Sequence, residues 1–431
     1  MLLSSFLSRR LALIAGNYSS KRLIGSRYCA NTHRLREFLT RNSQPFNWVD
    51  LEREEEVGSL LEAFGLRLED TPVVVLSNQE ILRNPSNEKM AEILGLNTLL
   101  PDRVVDVLVV GLGPAGLAAT VYAASEGLEV LTLDSSGPGG QAGTSSKIEN
   151  YLGFPTGISG RDLADRALLQ AQKFGAKVAS ARTARALDCK HPVYTVTTCD
   201  GARIQARSIV IATGARYRKL ELPNLASLEG RGIFYGATAM ECQLCKNAVA
   251  VVVGGGNSAG QAVVFLSGIA REVHLHVRGD GLAASMSKYL IRRIEETPNI
   301  FLHTHSEVSQ LHGEEHLEKV SFRCRRTGRS SEIETSHLFS MVGAQPNTDW
   351  LCDTILRDDK GFVLTGRDLS DEQLRASGWT ASRRPYAYET SRPRVFAVGD
   401  VRSDSTKRVA TAVGEGSAAV SFLHRALADL A

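Results

Sequence analysis

The chain alternates apolar and polar positions in three successive rhythms. From Lys21 to Leu96, short apolar runs at Lys21–Gly25, Phe46–Asp50 and Val73–Leu76 are separated by helix-like periods at Thr32–Thr40, Glu54–Phe64 and Asn87–Leu94. That order predicts a small α/β module over 21–97. Pro72 stands directly before Val73-Val74-Val75, where a cis X-Pro bond would shape a ligand-facing turn. Asn97–Arg103, with Pro101, reads as a linker into a new unit. Val104–Val110 is then almost wholly apolar, broken only by Asp106, as expected of a parallel strand covered on both faces. A glycine-rich turn and an alanine-rich helix follow. The same succession returns later: Ala248–Val253 is apolar, Gly254–Gly256 is a turn and Asn257–Ser267 reads as a helix. Two strand–turn–helix units predict two nucleotide sites.

With 431 residues the chain exceeds one ordinary core, so two or three domains are expected. A hydrophobic fraction of 43% and a charged fraction of 23% fit a soluble globular class rather than a disordered one. Lys+Arg exceeds Asp+Glu only by 50 − 47 = 3, without a long block of one sign, so the footprint of a nucleic-acid binder is missing. Seven cysteines, at 29, 189, 199, 242, 245, 324 and 352, are an odd and scattered set, unlike a secreted disulfide framework. A reducing, cytoplasmic compartment is therefore expected. No apolar run reaches the roughly 18 to 20 residues of a membrane span. The first 36 residues hold Arg9, Arg10, Lys21, Arg22, Arg27, Arg34 and Arg36 and no acid, a composition compatible with an organelle transit peptide. Because no amphipathic pattern is sustained there, a plain leader over 1–20 or a start codon placed too early is the favoured reading.

The chemistry sits in the turns. Gly111-Leu112-Gly113-Pro114-Ala115-Gly116 is a full G-x-G-x-x-G between a strand and a helix. Its first glycine allows the tight turn, the second lets backbone approach a pyrophosphate, and the third lets helix and strand pack closely. The helix start then offers N–H groups to phosphate. Asp134 ends the next strand, 18 residues past Gly116, where a carboxylate can accept from ribose hydroxyls. The second turn, Gly254-Gly255-Gly256-Asn257-Ser258-Ala259, reads G-x-G-x-x-A, and the strand after it ends at Arg278 rather than at an acid. A guanidinium there pairs bidentately with a 2′-phosphate that a carboxylate would repel, which predicts NADPH over NADH. His276 and Lys288 or Arg292 are candidates to assist, although each by itself reads first as a solvated surface residue.

From Val104 onward the chain resembles the low-molecular-weight thioredoxin reductases. The likeness is carried by the Gly111–Gly116 turn, Gly137-Pro138-Gly139-Gly140-Gln141, Ile148–Pro155, Ile211-Ala212-Thr213-Gly214-Ala215 and Val398-Gly399-Asp400. The resemblance implies FAD and NADPH as cofactors, and it places Gln141 and Asn150 beside the flavin. It also assigns Asp400 to the ribityl chain and sets Lys407, Arg408 and Val409 over the ring. It further implies two Rossmann-like, three-layer α/β domains, with a discontinuous FAD domain (104–222 and 344–431) interrupted by an NADPH domain (223–343). A homodimer is the expected assembly.

One departure bears on mechanism. In the family a Cys-Ala-Thr-Cys dithiol follows an Arg-Gly-x-x-Tyr stretch, but Arg231-Gly232-Ile233-Phe234-Tyr235 is followed here by Gly236-Ala237-Thr238-Ala239. Cys242 and Cys245 do form a C-x-x-C, beginning six residues later, roughly 9 Å along a helix. It reads as a relocated redox dithiol, as half of a zinc site whose second half is not evident, or as two small packed thiols, the last being favoured. The front module resembles a glutaredoxin or thioredoxin-type fold, with Cys29 at a helix start and Thr32 where a second cysteine would stand. Cys29 is a single-thiol candidate, and the competing reading is a docking module without thiol chemistry. The function expected is hydride transfer from NADPH to FAD and then to an unidentified acceptor, with a thioredoxin-like protein, ferredoxin and quinone as candidates. The alternatives are a disulfide reductase using Cys242 and Cys245, and a flavin- and NADPH-binding sensor. No metal is expected.

Overall fold

In a computed structural model the apolar runs after Lys21 assemble into a four-stranded sheet. The structure describes residues 21–53, 61, 65–76, 80–96, 100–145, 147–189, 193–237, 244–353 and 355–429. In this first sheet β1 (Arg22–Ile24) runs parallel to β2 (Asn47–Val49) and antiparallel to β3 (Val73–Val75). A fourth strand, β4 (Ile81–Arg83), pairs antiparallel with β3 and was not anticipated. It is a three-residue strand at the sheet's edge, too short to show an alternation. Helix α1 (Ala30–Arg41) joins β1 to β2 and buries Leu35, Phe38 and Leu39, while α2 (Asn87–Ile93) follows β4. The Thr71–Pro72 peptide bond is cis. The strand order is β2-β1-β3-β4, with α1 and α2 beside it, so this segment forms a small α/β module.

The next stretch builds a larger sheet on β5 (Val105–Val110). Its apolar side chains are buried on both faces: Val107 and Val109 share a cluster with α3 (Pro114–Ser125), and Val105, Leu108 and Val110 lie in a second cluster. β6 (Val130–Leu133) pairs parallel with β5, α4 (Gly160–Lys173) crosses over, and β7 (Lys177–Ala179) pairs parallel with β6. β8 (Ala184–Asp188), β9 (Tyr194–Thr198) and β10 (Arg203–Ile211) form an antiparallel meander. The far half of β10 returns to pair parallel with β5. β11 (Ala215–Tyr217) then leads the chain away.

The inserted segment has its own parallel sheet, in the order β12-β19-β13-β14-β15. Its strands are β12 (Ile233–Phe234), β13 (Val249–Val253), β14 (Glu272–His276), β15 (Ile300–His303) and β19 (Leu338–Ser340). Helices α5 (Asn257–Ser267) and α6 (Lys288–Glu296) connect them. An antiparallel trio, β16 (Ser306–His312), β17 (Lys319–Cys324) and β18 (Ser330–Glu334), completes the segment. On return, β20 (Ala344–Pro346) pairs antiparallel with β11, β21 (Val395–Ala397) joins β10 in parallel, and α7 (Val409–Ala428) packs on α3.

By internal contacts the chain divides into two compact units, Met1–Met90 with Lys219–Gly343, and Ala91–Arg218 with Ala344–Ala431. The front module thus shares a unit with the inserted segment. Tyr28 stacks on His316 at 5.2 Å between ring centroids, and His33 meets Phe234 edge-on at 5.9 Å. Among the described residues no helix is long and apolar enough to cross a membrane.

Candidate functional site

In the unit built on β5, the first glycine turn links β5 to α3. Gly111 has φ +108, and a Cβ on it would lie 2.3 Å from the carbonyl oxygen of Ala212. A Cβ on Gly116 would lie 1.9 Å from the carbonyl oxygen of Gly111, so helix and strand meet with no room for a side chain. Gly113 is the N-cap of α3 and Pro114 its first residue, and no side chain caps this helix. By contrast, α4 is capped by Ser159, whose hydroxyl accepts from the Asp162 N–H. The first N–H groups of α3, including that of Ala115, therefore await an acceptor of the kind a phosphate supplies. A Cβ placed on Gly113 would meet only the Cα of Gly140, at 3.8 Å, which leaves the approach to the helix tip open.

Asp134 serves this turn from beneath. Its carboxylate accepts from the backbone N–H groups of Leu112, Ser136 and Gly137, each at 2.8 Å. Three of its roughly four acceptor positions are thus spent on fixing the two loops, a use that the residue's place at a strand end did not reveal. Gln141 donates from its amide to the carbonyl of Ala215. Thr213 and Asn347 clasp each other: the Thr213 hydroxyl donates to the Asn347 carbonyl at 2.8 Å, and the Asn347 amide returns to the Thr213 carbonyl at 2.9 Å. The Asn347 N–H also donates to the Gly214 carbonyl at 3.0 Å. Asn150 is exposed in a turn after Ile148.

The C-terminal motif arrives at the same corner, for a Cβ on Gly399 would lie 2.8 Å from the Cβ of Ala115. Asp400 is partly buried; that burial pushes its carboxyl above the usual range, with Lys407 opposing and Glu415 reinforcing the shift. Lys407 donates to the backbone carbonyl of Asp400 at 3.0 Å, and burial lowers its own pKa. Arg408 is the N-cap of α7 and Val409 its first residue. Sequence reasoning missed the node that holds this motif. Glu415, 4% exposed, accepts from the Gly399 N–H at 2.7 Å and from Arg402 at 2.7 Å. A signal was available: Glu415 is the only acid in α7, between two glycines.

In the other unit, the second turn links β13 to α5 with the same economy. Gly254 has φ +143, and a Cβ there would lie 2.3 Å from the Met341 carbonyl oxygen. Gly256 is the N-cap of α5, again without a side-chain cap. The Asn257 side chain accepts from the Ser287 N–H at 2.7 Å, Ser258 is exposed in the first turn and Ala259 is buried. Arg278 is exposed just past β14. Lys288 opens α6 on the surface, and Arg292 pairs with Glu296 at 2.7 Å.

His276 is neither a surface residue nor free to assist at a phosphate. It is 1% exposed, stacked 3.6 Å from the Phe322 ring and 4.3 Å from His303, with Nδ1 on the Ser306 hydroxyl at 2.8 Å. Burial, followed by the neighbouring His303 and His274, pushes its pKa down to about 2. Cys245 is fully buried, packed with Phe234, Ala250 and Val263 in the core of this unit. Cys242 lies outside the described residues. Cys29, half-buried, is the N-cap of α1, and its carbonyl accepts from the His33 N–H at 3.1 Å. Among the described residues no group of three or more His, Cys, Asp or Glu side chains is arranged to hold a metal ion.

Two glycine corners, each at the carboxyl end of a parallel strand and each opening an uncapped helix, define a protein with two dinucleotide-binding domains. Residues 105–416 match the family described as pyridine nucleotide-disulphide oxidoreductase, and the chain belongs to that family. It is accordingly a flavoprotein oxidoreductase of thioredoxin reductase type. It is 33% identical to a thioredoxin reductase of Streptomyces clavuligerus over 76% of this chain and 95% of the relative. It is 31% identical to a bifunctional thioredoxin reductase/thioredoxin of Mycobacterium leprae over 76% of this chain and 67% of the relative. The crystal structure of Lactococcus lactis thioredoxin reductase superposes with a TM-score of 0.67 at 27% identity, covering 75% of this chain and 99% of that one.

Proposed function

We propose that this protein transfers a hydride from NADPH to FAD and passes the electrons to an external acceptor without using a dithiol of its own. The observation that carries the reading is the pair of uncapped glycine corners, one backed by Asp134 and Asp400, the other followed by Arg278. The first corner is the seat for FAD. Gly111, Gly113, Pro114, Ala115 and Gly116 form the diphosphate cradle, with Gly140, Gln141, Asn150, Thr213 and Gly214 toward the ring. Gly399 and Asp400 meet the ribityl hydroxyls, and Lys407, Arg408 and Val409 lie over the flavin. At the second corner Gly254, Gly256, Asn257, Ser258 and Ala259 receive the NADPH diphosphate, and Arg278 selects the 2′-phosphate. Bound flavin supplies the two-electron chemistry, while the chain supplies position, field and exclusion of water.

The absence of a dithiol step follows from two features. No cysteine stands in Gly236-Ala237-Thr238-Ala239, and Cys245 is sealed in a core out of reach of a partner. The test is NADPH oxidation by the holoprotein against a quinone, ferredoxin and thioredoxin. Cys242→Ser and Cys245→Ala variants are expected to keep wild-type turnover on the preferred acceptor. If either loses turnover while NADPH still bleaches the flavin, the dithiol route is the correct one. A second reading is favoured by Cys29, which caps α1 in a thioredoxin-type module. In it Cys29 is the thiol through which electrons leave, and Cys29→Ser abolishes disulfide reduction alone.

A further inference from the structure

Two cysteines far apart in the sequence meet in the unit that carries the first glycine corner. The sulfurs of Cys189 and Cys352 lie 3.1 Å apart, although 163 residues separate them along the chain. Their backbones are brought together by the meander. Leu187, near the end of β8, donates its N–H to the carbonyl of Trp350 at 3.1 Å, so each cysteine lies two residues beyond a hydrogen-bonded position. Both side chains pack on the apolar cluster that contains Leu187, Leu351 and Ile355, which holds them in register. Both are only partly buried, so a small oxidant can reach them. Neither belongs to the cofactor corners or to the C-x-x-C.

We propose that Cys189 and Cys352 form a reversible disulfide, a redox site separate from the flavin chemistry, oxidised by a low-molecular-weight disulfide such as glutathione disulfide. One cysteine, as thiolate, attacks the glutathione disulfide, forms a mixed disulfide and releases one glutathione thiol. The second cysteine then attacks the mixed disulfide at the protein sulfur, forms the Cys189–Cys352 bond and releases the second glutathione. Two protein thiols are oxidised and one glutathione disulfide is reduced to two thiols, so electrons and protons balance. Contact between the sulfurs makes the second step intramolecular. The bond would tie the end of β8 to the segment that follows β20. That segment also carries Asn347, the residue clasping Thr213 and Gly214. A cross-link here therefore reaches the backbone at the carboxyl end of β10.

The test uses the full chain and does not depend on bound flavin or on activity. The protein is incubated with glutathione disulfide, remaining thiols are blocked with iodoacetamide, and the unreduced digest is mapped by mass spectrometry. Cys199, which is exposed, reports that the oxidant was effective. The expected result is a peptide pair joined through Cys189 and Cys352, lighter than the two free peptides by two hydrogens and abolished by dithiothreitol. Cys189→Ser and Cys352→Ser are each expected to lose the linked pair and to leave the remaining cysteine as a stable glutathione adduct. The proposal is overturned if both cysteines are recovered alkylated while Cys199 is glutathionylated, or if either is found joined to another cysteine. It is equally overturned if the wild-type protein accumulates separate glutathione adducts at both positions.

Discussion

The two glycine corners share their backbone plan and differ in what surrounds it. At the β5–α3 corner a carboxylate, Asp134, holds two loops by three amide hydrogen bonds, and the buried Glu415, paired with the partly buried Arg402, holds a third loop. At the β13–α5 corner an exposed arginine, Arg278, stands two residues past the next strand, and the turn is steadied by neutral contacts through Asn257 and Ser285. The same strand–turn–helix hardware is thus tied by charged groups in one place and by neutral ones in the other. Side chains beyond the motif set the difference between the two corners.

The comparison can be broken most severely at Gly116. Gly116→Ala forces a Cβ against the Gly111 carbonyl, and the purified protein should lose flavin affinity by roughly 10- to 100-fold, read from its visible spectrum. Gly260, in the other helix, faces the flexible Met286 side chain, and Gly260→Ala should leave the flavin in place. Next comes Glu415→Ala. It strands the partly buried Arg402 and frees the Gly399 loop, with an expected loss of about 3–5 kcal/mol in the unit that contains it. A lowered denaturant midpoint for flavin release checks this, and an unchanged midpoint would show that the node is ornamental. Arg278→Ala should raise KM for NADPH roughly 10- to 100-fold, the worth of a charge-assisted bidentate contact, while KM for NADH stays put.

The smallest effect concerns pH. His276, pushed down to about 2, and His337, pushed down to about 4 mainly by burial, stay neutral in the folded unit where the unfolded chain would take protons near 6.5. The unfolded state binds more protons between each folded value and about 6.5, so stability is complete above that pH and falls as pH drops through the window. The slope is at most ~1.4 kcal/mol per pH unit for each histidine. Urea midpoints between pH 7.5 and 5 should show it, and His276→Phe should flatten it by one histidine's share. An unaltered slope in that variant would exclude His276 as a source.

Much of the plan was legible along the chain. The strand at Val249 is an unbroken apolar run, the one at Val105 is broken only by Asp106, and the helix over Asn257–Ser267 lies where the pattern placed it. These elements are legible because their signals, periodic burial and glycine turns, are local. β4 escaped because three residues at a sheet edge carry no period. His276 read as surface because it stands at a strand end beside Arg278, and nothing in the sequence announces that Phe322 and His303 close over it. The Glu415 node escaped because its partners, Gly399 and Arg402, lie outside the helix that bears it.

The sequence alone determined where backbone must turn without a side chain, which strands are covered on both faces, and which charge follows each glycine corner. Those properties follow from steric limits and solvent transfer, which act on neighbours in the chain. Only the tertiary structure decided that Asp134 would hold loops, that Cys245 would be sealed in a core, and that Cys189 and Cys352 would touch. Such outcomes depend on which distant surfaces pack together, and the cost of burying a group without a partner is set by that packing.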